Sequence, residues 1–134
     1  MVPAGEHRAL ARELAARGQL TITVAGDSMA PTLARGAQVT IGPAAGVLPG
    51  DVVLFETADR RDLVLHRVVL CAPGLSWFVH AGDAPGGGGP ARASKRQIIG
   101  RARVPRRWPR STGLLRFSIG GAIKVLRAQK SRRW

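Results

Sequence analysis

The stretch that decides the fold is VLPGDVVLFETADRRDLVLHRVVL, residues 47–70. A Pro-Gly pair at 49–50 marks a turn. The apolar run beginning at Val52 is rich in β-branched residues and short enough for a buried strand. ADRRD, at 58–62, is a charged turn, and LVLHRVVL at 63–70 reads as a second strand folding back on the first. The segment is therefore a β-hairpin, and alternation places His66 on the same face as Val64 and Val68, with Arg67 on the other.

The same punctuation continues in both directions. Upstream, QLTITVAG at 19–26 alternates and reads as a strand, and APTLARGAQVTIG at 30–42 gives a turn and a strand around Val39 to Ile41. Downstream, SWFVHAGD at 76–83 is a fifth strand and QIIGRARV at 97–104 a last short one. APGGGGPARAS, at 84–94, reads as a flexible loop without regular structure. EHRALARELAARG, at 6–18, has helical spacing and a glycine just past its end. No internal repeat is visible. The expected class is mainly β, with one N-terminal helix and a basic C-terminal tail.

The chain has 134 residues and a net charge of +13, which is unevenly distributed. Residues 1–91 carry 7 basic and all 8 acidic residues, a balance of −1, whereas residues 92–134 carry 14 basic residues and no acid. A nearly neutral stretch, 1–91, is thus followed by a polycationic one, 92–134; the expected catalytic domain spans 1–104 and the basic tail 105–134. PRRWPR at 105–110 interrupts structure; beyond it GLLRFSIGGAIKVLRAQK could form an amphipathic helix with Leu115, Ile119, Ile123 and Leu126 on one face. At about 22 Å such a helix falls short of a ~30 Å hydrocarbon core. With Trp108 and Trp134 it suits peripheral contact with anionic lipid. Nucleic acid is the less favoured polyanion, because no helix-turn-helix or zinc motif is present.

A single cysteine, Cys71, excludes a disulfide framework and a cysteine-rich zinc site, and reads as a small buried hydrophobe. There is no phosphate loop and no metal-ligand cluster, so no cofactor is expected. The N-terminus has no signal-peptide core and no stretch has the length of a membrane span, giving a cytoplasmic expectation, with the membrane surface as a peripheral option.

Chemistry points to AGDSMAPTLARG, residues 25–36. A serine followed by Met-x-Pro-Thr-Leu is a hydroxyl held in a turn, and such a hydroxyl needs a base. All three lysines, Lys95, Lys124 and Lys130, lie beyond the glycine-rich run. His7 sits on the helix and reads as solvated, while His66 and His80 lie on strands. Taken alone, His66 on an apolar strand reads more readily as a satisfied core residue than as a catalyst; only its order relative to Ser28 changes that.

GDSMAPTLARGAQV, LPGDVVLF, LVLHRVV, FVHAGDA and IIGRARV resemble, in that order, the segments of type I signal peptidases, whose catalytic core recurs in LexA-like self-cleaving repressors. The resemblance covers residues 20–104 and implies that family's catalytic-core β fold. A histidine in place of lysine before Arg-Val-Val resembles the archaeal and endoplasmic-reticulum branch. The resemblance implies Ser28 as nucleophile, His66 as base, and the Ser28 backbone N–H as an oxyanion donor. Gly26 cannot add the hydroxyl that some members place there. It also implies that an extended peptide or protein substrate pairs with the strand leading into Ser28, along Thr23, Val24 and Ala25, with small residues fitting shallow pockets near Met29. Pro31 and Thr32 would fix the turn; Gly36, Gly50 and Asp51 would serve turns and packing.

That branch carries an orienting aspartate beyond its Gly-Asp pair, and here no acid follows Asp83. Asp83 is therefore the candidate orienter, alongside a plain turn role. The expected function is a serine endopeptidase that matures a precursor, slow or inactive if the histidine lacks an orienter. The alternatives are a degenerate peptide-binding module and a LexA-like self-cleaving regulator, the latter short of an evident cleavage segment. At the reference histidine value, activity would rise near pH 6 to 7.

Overall fold

A computed structural model describes residues 4–105. The elements run α1 (Ala4–Ala16), β1 (Leu20–Thr23), β2 (Gln38–Gly42), β3 (Val52–Glu56), β4 (Leu63–Cys71), β5 (Trp77–Ala81), β6 (Ala91–Ser94) and β7 (Ile98–Ala102), with short 3-10 turns at Pro73–Leu75 and Lys95–Gln97. The expected tail helix lies outside the described residues.

The strands form one antiparallel sheet in the order β1-β2-β7-β3-β4-β5-β6. The hairpin read from residues 47–70 pairs Val53 with His66 and Phe55 with Val64. Every residue of β3 is buried because both faces of the sheet are covered there. Val52 and Leu54 join a cluster with Ala15 of α1, Val39, Ile41, Ile99, Met29 and Leu33. Val53 and Phe55 point the other way, into a cluster with Val68, Phe78, Ala93 and Ile98. Strict alternation along one central strand thus divides the core into two.

Helix α1 ends as its glycine foretold. Gly18 has φ +71°, and its N–H donates to the Ala15 carbonyl at 2.9 Å while that of Gln19 reaches Leu14 at 2.8 Å. The helix is fastened to the sheet by Arg12, which donates to Glu56 Oε2 at 2.6 Å and to the Ile98 carbonyl at 2.7 Å.

Residues 84–94 depart from the expectation of a structureless loop. Ala91–Ser94 forms the edge strand β6, pairing Phe78 with Ala93 and His80 with Ala91. Nothing in ARAS favours a strand by propensity; its neighbour β5 supplies the ladder. Cys71 is half-buried rather than fully enclosed, and burial raises its thiol pKa. His7 is exposed, as expected of its place on the helix. Among the described residues no helix is long and apolar enough to cross a membrane.

Candidate active site

The chain enters the site from β1. Beyond Thr23, the Val24 N–H donates to the Ala37 carbonyl and the Gly36 N–H to the Val24 carbonyl, both at 2.8 Å. This short extension of the β1–β2 pairing delivers residues 25–27 to the serine turn. Arg35 closes it from outside, donating to the Ala25 carbonyl at 2.9 Å and to Asp27 Oδ2 at 2.8 Å. Within the turn, Ala30 N–H reaches the Asp27 carbonyl at 3.1 Å and Leu33 N–H the Met29 carbonyl at 2.9 Å. Met29 is only 1% exposed and anchors the turn in the first core cluster. Ser28, half-buried beside it, is left at the surface of a cleft.

That cleft, about 430 Å³, has Thr23, Val24, Ala25, Ser28 and Met29 along one wall and Leu63, Val64, Leu65 and His66 of β4 along the other. The structure therefore brings Ser28 and His66 to one cavity, together with every residue that the sequence offered for substrate contact. Among the described residues no hydrogen bond joins Ser28 to His66.

Glycines hold the two sides together. The Ala84 N–H donates to the Ser28 carbonyl at 2.9 Å, and the Gly87 N–H to the Ala84 carbonyl at 2.7 Å. A Cβ on Gly87 would lie 2.5 Å from the Ser28 carbonyl oxygen and 3.1 Å from its Cα. One on Gly88 would meet the His66 ring at 3.3 Å. The run read as a loose loop is thus a brace between Ser28 and His66, which only a side-chain-free backbone fits. Gly87→Ala is expected to displace Ser28 and, in a cleavage assay, lower turnover about 10²-fold, as a misplacement near 1 Å does.

His66 is 7% exposed and His80 8%. Their Nδ1 atoms are 2.9 Å apart, and Phe55 and Phe78 wall them in: the Phe55 ring centroid lies 4.4 Å from that of His80 and 6.2 Å from that of His66. Burial pushes His66 down to about 4, against the pull of the Gly87 carbonyl, which favours the protonated ring. Burial, then the neighbouring His66, pushes His80 down to about 3. Both rings are uncharged at neutral pH, so a base role for His66 would set in at a lower pH than the 6 to 7 expected from the reference value.

Two outcomes follow for pH. If His66 acts as a base, cleavage persists through pH 6 and falls only as pH drops through about 4. Stability moves in a different window. Between about pH 6.5, the unfolded histidine value, and the folded values, the unfolded chain takes up protons that the folded chain does not. The thermal midpoint should therefore fall as pH is lowered below about 6.5, which calorimetry across pH 4 to 8 checks.

The sequence offers Asp83 as an orienter of His66 or a turn residue, and the structure pairs it with Arg67 and Thr32. Its carboxylate accepts from Arg67 at 3.2 and 2.6 Å and from Thr32 Oγ1 at 2.5 Å. Arg67 and Asp83 are both fully buried, and Arg67 also donates to the Gly50 carbonyl at 3.0 Å. Thr32 belongs to the serine turn and Arg67 to β4, so Asp83 clamps the one to the other. The ring that touches His66 is His80, a residue the sequence reading placed on a strand without a role. Its signal was its parity with Phe78, one strand over from His66. Asp51 serves its turn as expected, accepting from the Leu48 N–H at 2.9 Å.

A separate groove of about 660 Å³ is lined by residues 44–48, 71–75, Lys95 and Ile98. Its one thiol, Cys71, has a pKa raised by burial and by Asp51, which keeps it protonated at neutral pH. Among the described residues no group of His, Cys, Asp and Glu is arranged to hold a metal ion. Compared with known proteins, the chain matches no protein-family model and no curated protein sequence.

Proposed function

We propose that the protein is a serine endopeptidase in which Ser28 attacks an extended peptide and His66 takes its proton. The observation that carries this reading is the shared cleft: a half-buried serine on a braced turn and a neutral, buried histidine line one cavity beside an edge strand. On attack, the bond from Ser28 Oγ to the peptide carbonyl carbon forms while His66 accepts the hydroxyl proton. As the tetrahedral intermediate collapses, His66 returns that proton to the leaving amine, and a water then releases the acyl group by the same steps in reverse order.

The low pKa of His66 bears on how this base works. A neutral imidazole is available across the physiological range, but its conjugate acid is poorly tolerated in its apolar surroundings. The Gly87 carbonyl, which favours the protonated ring, partly offsets that cost. The resemblance of the Ser-Met-x-Pro-Thr-Leu and Gly-Asp-Val-Val segments to signal peptidases supports the same assignment. On this reading the substrate is a precursor peptide or protein, and the basic tail a peripheral contact with anionic lipid.

A second reading, a peptide-binding module that does not cut, is favoured by one observation: the absence of a Ser28–His66 hydrogen bond among the described residues. A fluorophosphonate probe and a random peptide library separate the two. The peptidase forms a covalent adduct at Ser28 and yields products by mass spectrometry. Peptide retention without adduct or products after long incubation would instead select the binding module.

A further inference from the structure

His66 needs more than proximity to Ser28 to act as a base: its proton has to sit on the nitrogen that faces away from the serine. A neutral imidazole carries one N–H, on Nδ1 or Nε2, and the partner of one nitrogen decides the state of the other. The partner here is fixed by sheet register. Arg67 pairs with Ala81 and Val68 with His80, with an irregularity between Val68 and Leu70. His80 therefore lies on the His66 face, one strand over and diagonal to it, where rings can reach each other. Their centroids are 5.1 Å apart with the planes tilted by 42°. The Nδ1–Nδ1 separation of 2.9 Å is a hydrogen-bond distance.

Two neutral rings at that distance hold one proton between them, because two bare nitrogens repel and two N–H groups collide. During the proposed reaction His66 becomes an imidazolium with both nitrogens protonated, so at the Nδ1–Nδ1 contact His66 can only donate and His80 has to accept, while the Gly87 carbonyl also favours the charged ring. The same arrangement before attack leaves His66 Nε2 bare, with no proton to relocate first. Phe55 and Phe78 hold the His80 ring in place, at 4.4 and 5.7 Å between centroids.

We infer that His80 is a positioning residue: its Nδ1 accepts from the Nδ1–H of His66 and so keeps His66 in the tautomer whose Nε2 can receive a proton. The role that an acid fills in other serine hydrolases is filled by a second imidazole. A carboxylate in this aromatic pocket would be a buried charge; a neutral ring offers a lone pair without one. This rests on the peptidase reading for its purpose, but not for its geometry.

The test has two arms on the full chain. Long-range ¹H–¹⁵N correlation spectra of uniformly labelled protein at pH 7, with His66→Gln to assign the signals, report the tautomer directly. His66 protonated on Nδ1 and His80 on Nε2 is the expected result; His66 protonated on Nε2 overturns the inference whatever the activity. In the second arm, fluorophosphonate labelling of Ser28 is timed in His80→Phe, which fills the space between Phe55 and Phe78 but accepts nothing, and in His80→Asn, whose amide oxygen restores an acceptor. His80→Phe should label about 10- to 100-fold more slowly, and His80→Asn should recover most of that loss. Equal rates in wild type and a folded His80→Phe would refute the role. Failure of the wild type itself to label would count against the peptidase reading, leaving the spectra to decide the tautomer.

Discussion

Ser28→Ala abolishes cleavage, His66→Ala brings it to the same floor, and the double variant is no worse than either alone. That is the expected result if the two side chains act as one unit, since removing either ends the same proton transfer. Losses of about 10³ to 10⁶ in kcat are the scale for such pairs. Neither side chain explains the fold. Ser28 is half-buried and its hydroxyl anchors no strand, so Ser28→Ala should keep the wild-type thermal midpoint. His66→Ala removes a ring packed near Phe55, 6.2 Å between centroids, and should lower the midpoint modestly. Wild-type-like turnover by either folded variant would end the assignment. Simple additivity of two moderate losses would show that Ser28 and His66 contribute separately.

The largest stability effect is expected at Asp83. Asp83→Ala leaves the Arg67 guanidinium fully buried without its carboxylate, and breaking such a pair costs about 3–5 kcal/mol. For a domain of this size that lowers the thermal midpoint by well over about 10 °C. The Gly50 carbonyl still accepts from Arg67 but carries no compensating charge. Combining Asp83→Ala with Arg67→Met removes both charges and should recover much of the loss. These variants also separate two roles for Asp83. An orienter of His66 would lower turnover at an unchanged midpoint, whereas a clamp lowers the midpoint first, and Thr32→Val should weaken it in the same direction. Calorimetry and a cleavage assay on the same samples decide.

The strands were legible because their cues are local. Pro49-Gly50, the ADRRD turn and the β-branched runs on either side are written in adjacent residues, and β3 and β4 form where those cues place them. Ser28 and His66 were likewise named from sequence, the second only through its order relative to the first. What the chain concealed depends on pairing between distant segments. Alternation says which face His80 occupies but not that the Val68–His80 register aims it at His66. β6 is a strand only because β5 lies beside it, and four glycines look the same whether they wave in solvent or fit under a serine. The Arg67 pairing of Asp83 was hidden for a related reason. An acid near a histidine invites a catalytic role, while its buried partner Arg67 sat among apolar residues whose significance appears only when both faces of β4 are covered.

The position of β1 has a consequence for turnover. Among the described residues it is a four-residue edge strand with β2 as its one neighbour in the sheet. On the peptidase reading proposed above, a peptide bound along its outer side would add a strand to the sheet, held by a short ladder in which each hydrogen bond contributes about 0.5–1.5 kcal/mol net. Cutting that strand at Ser28 halves it, and each half keeps only the rungs on its own side. On that reading the products would peel away more readily than the intact chain, so scission itself would clear the edge for the next molecule.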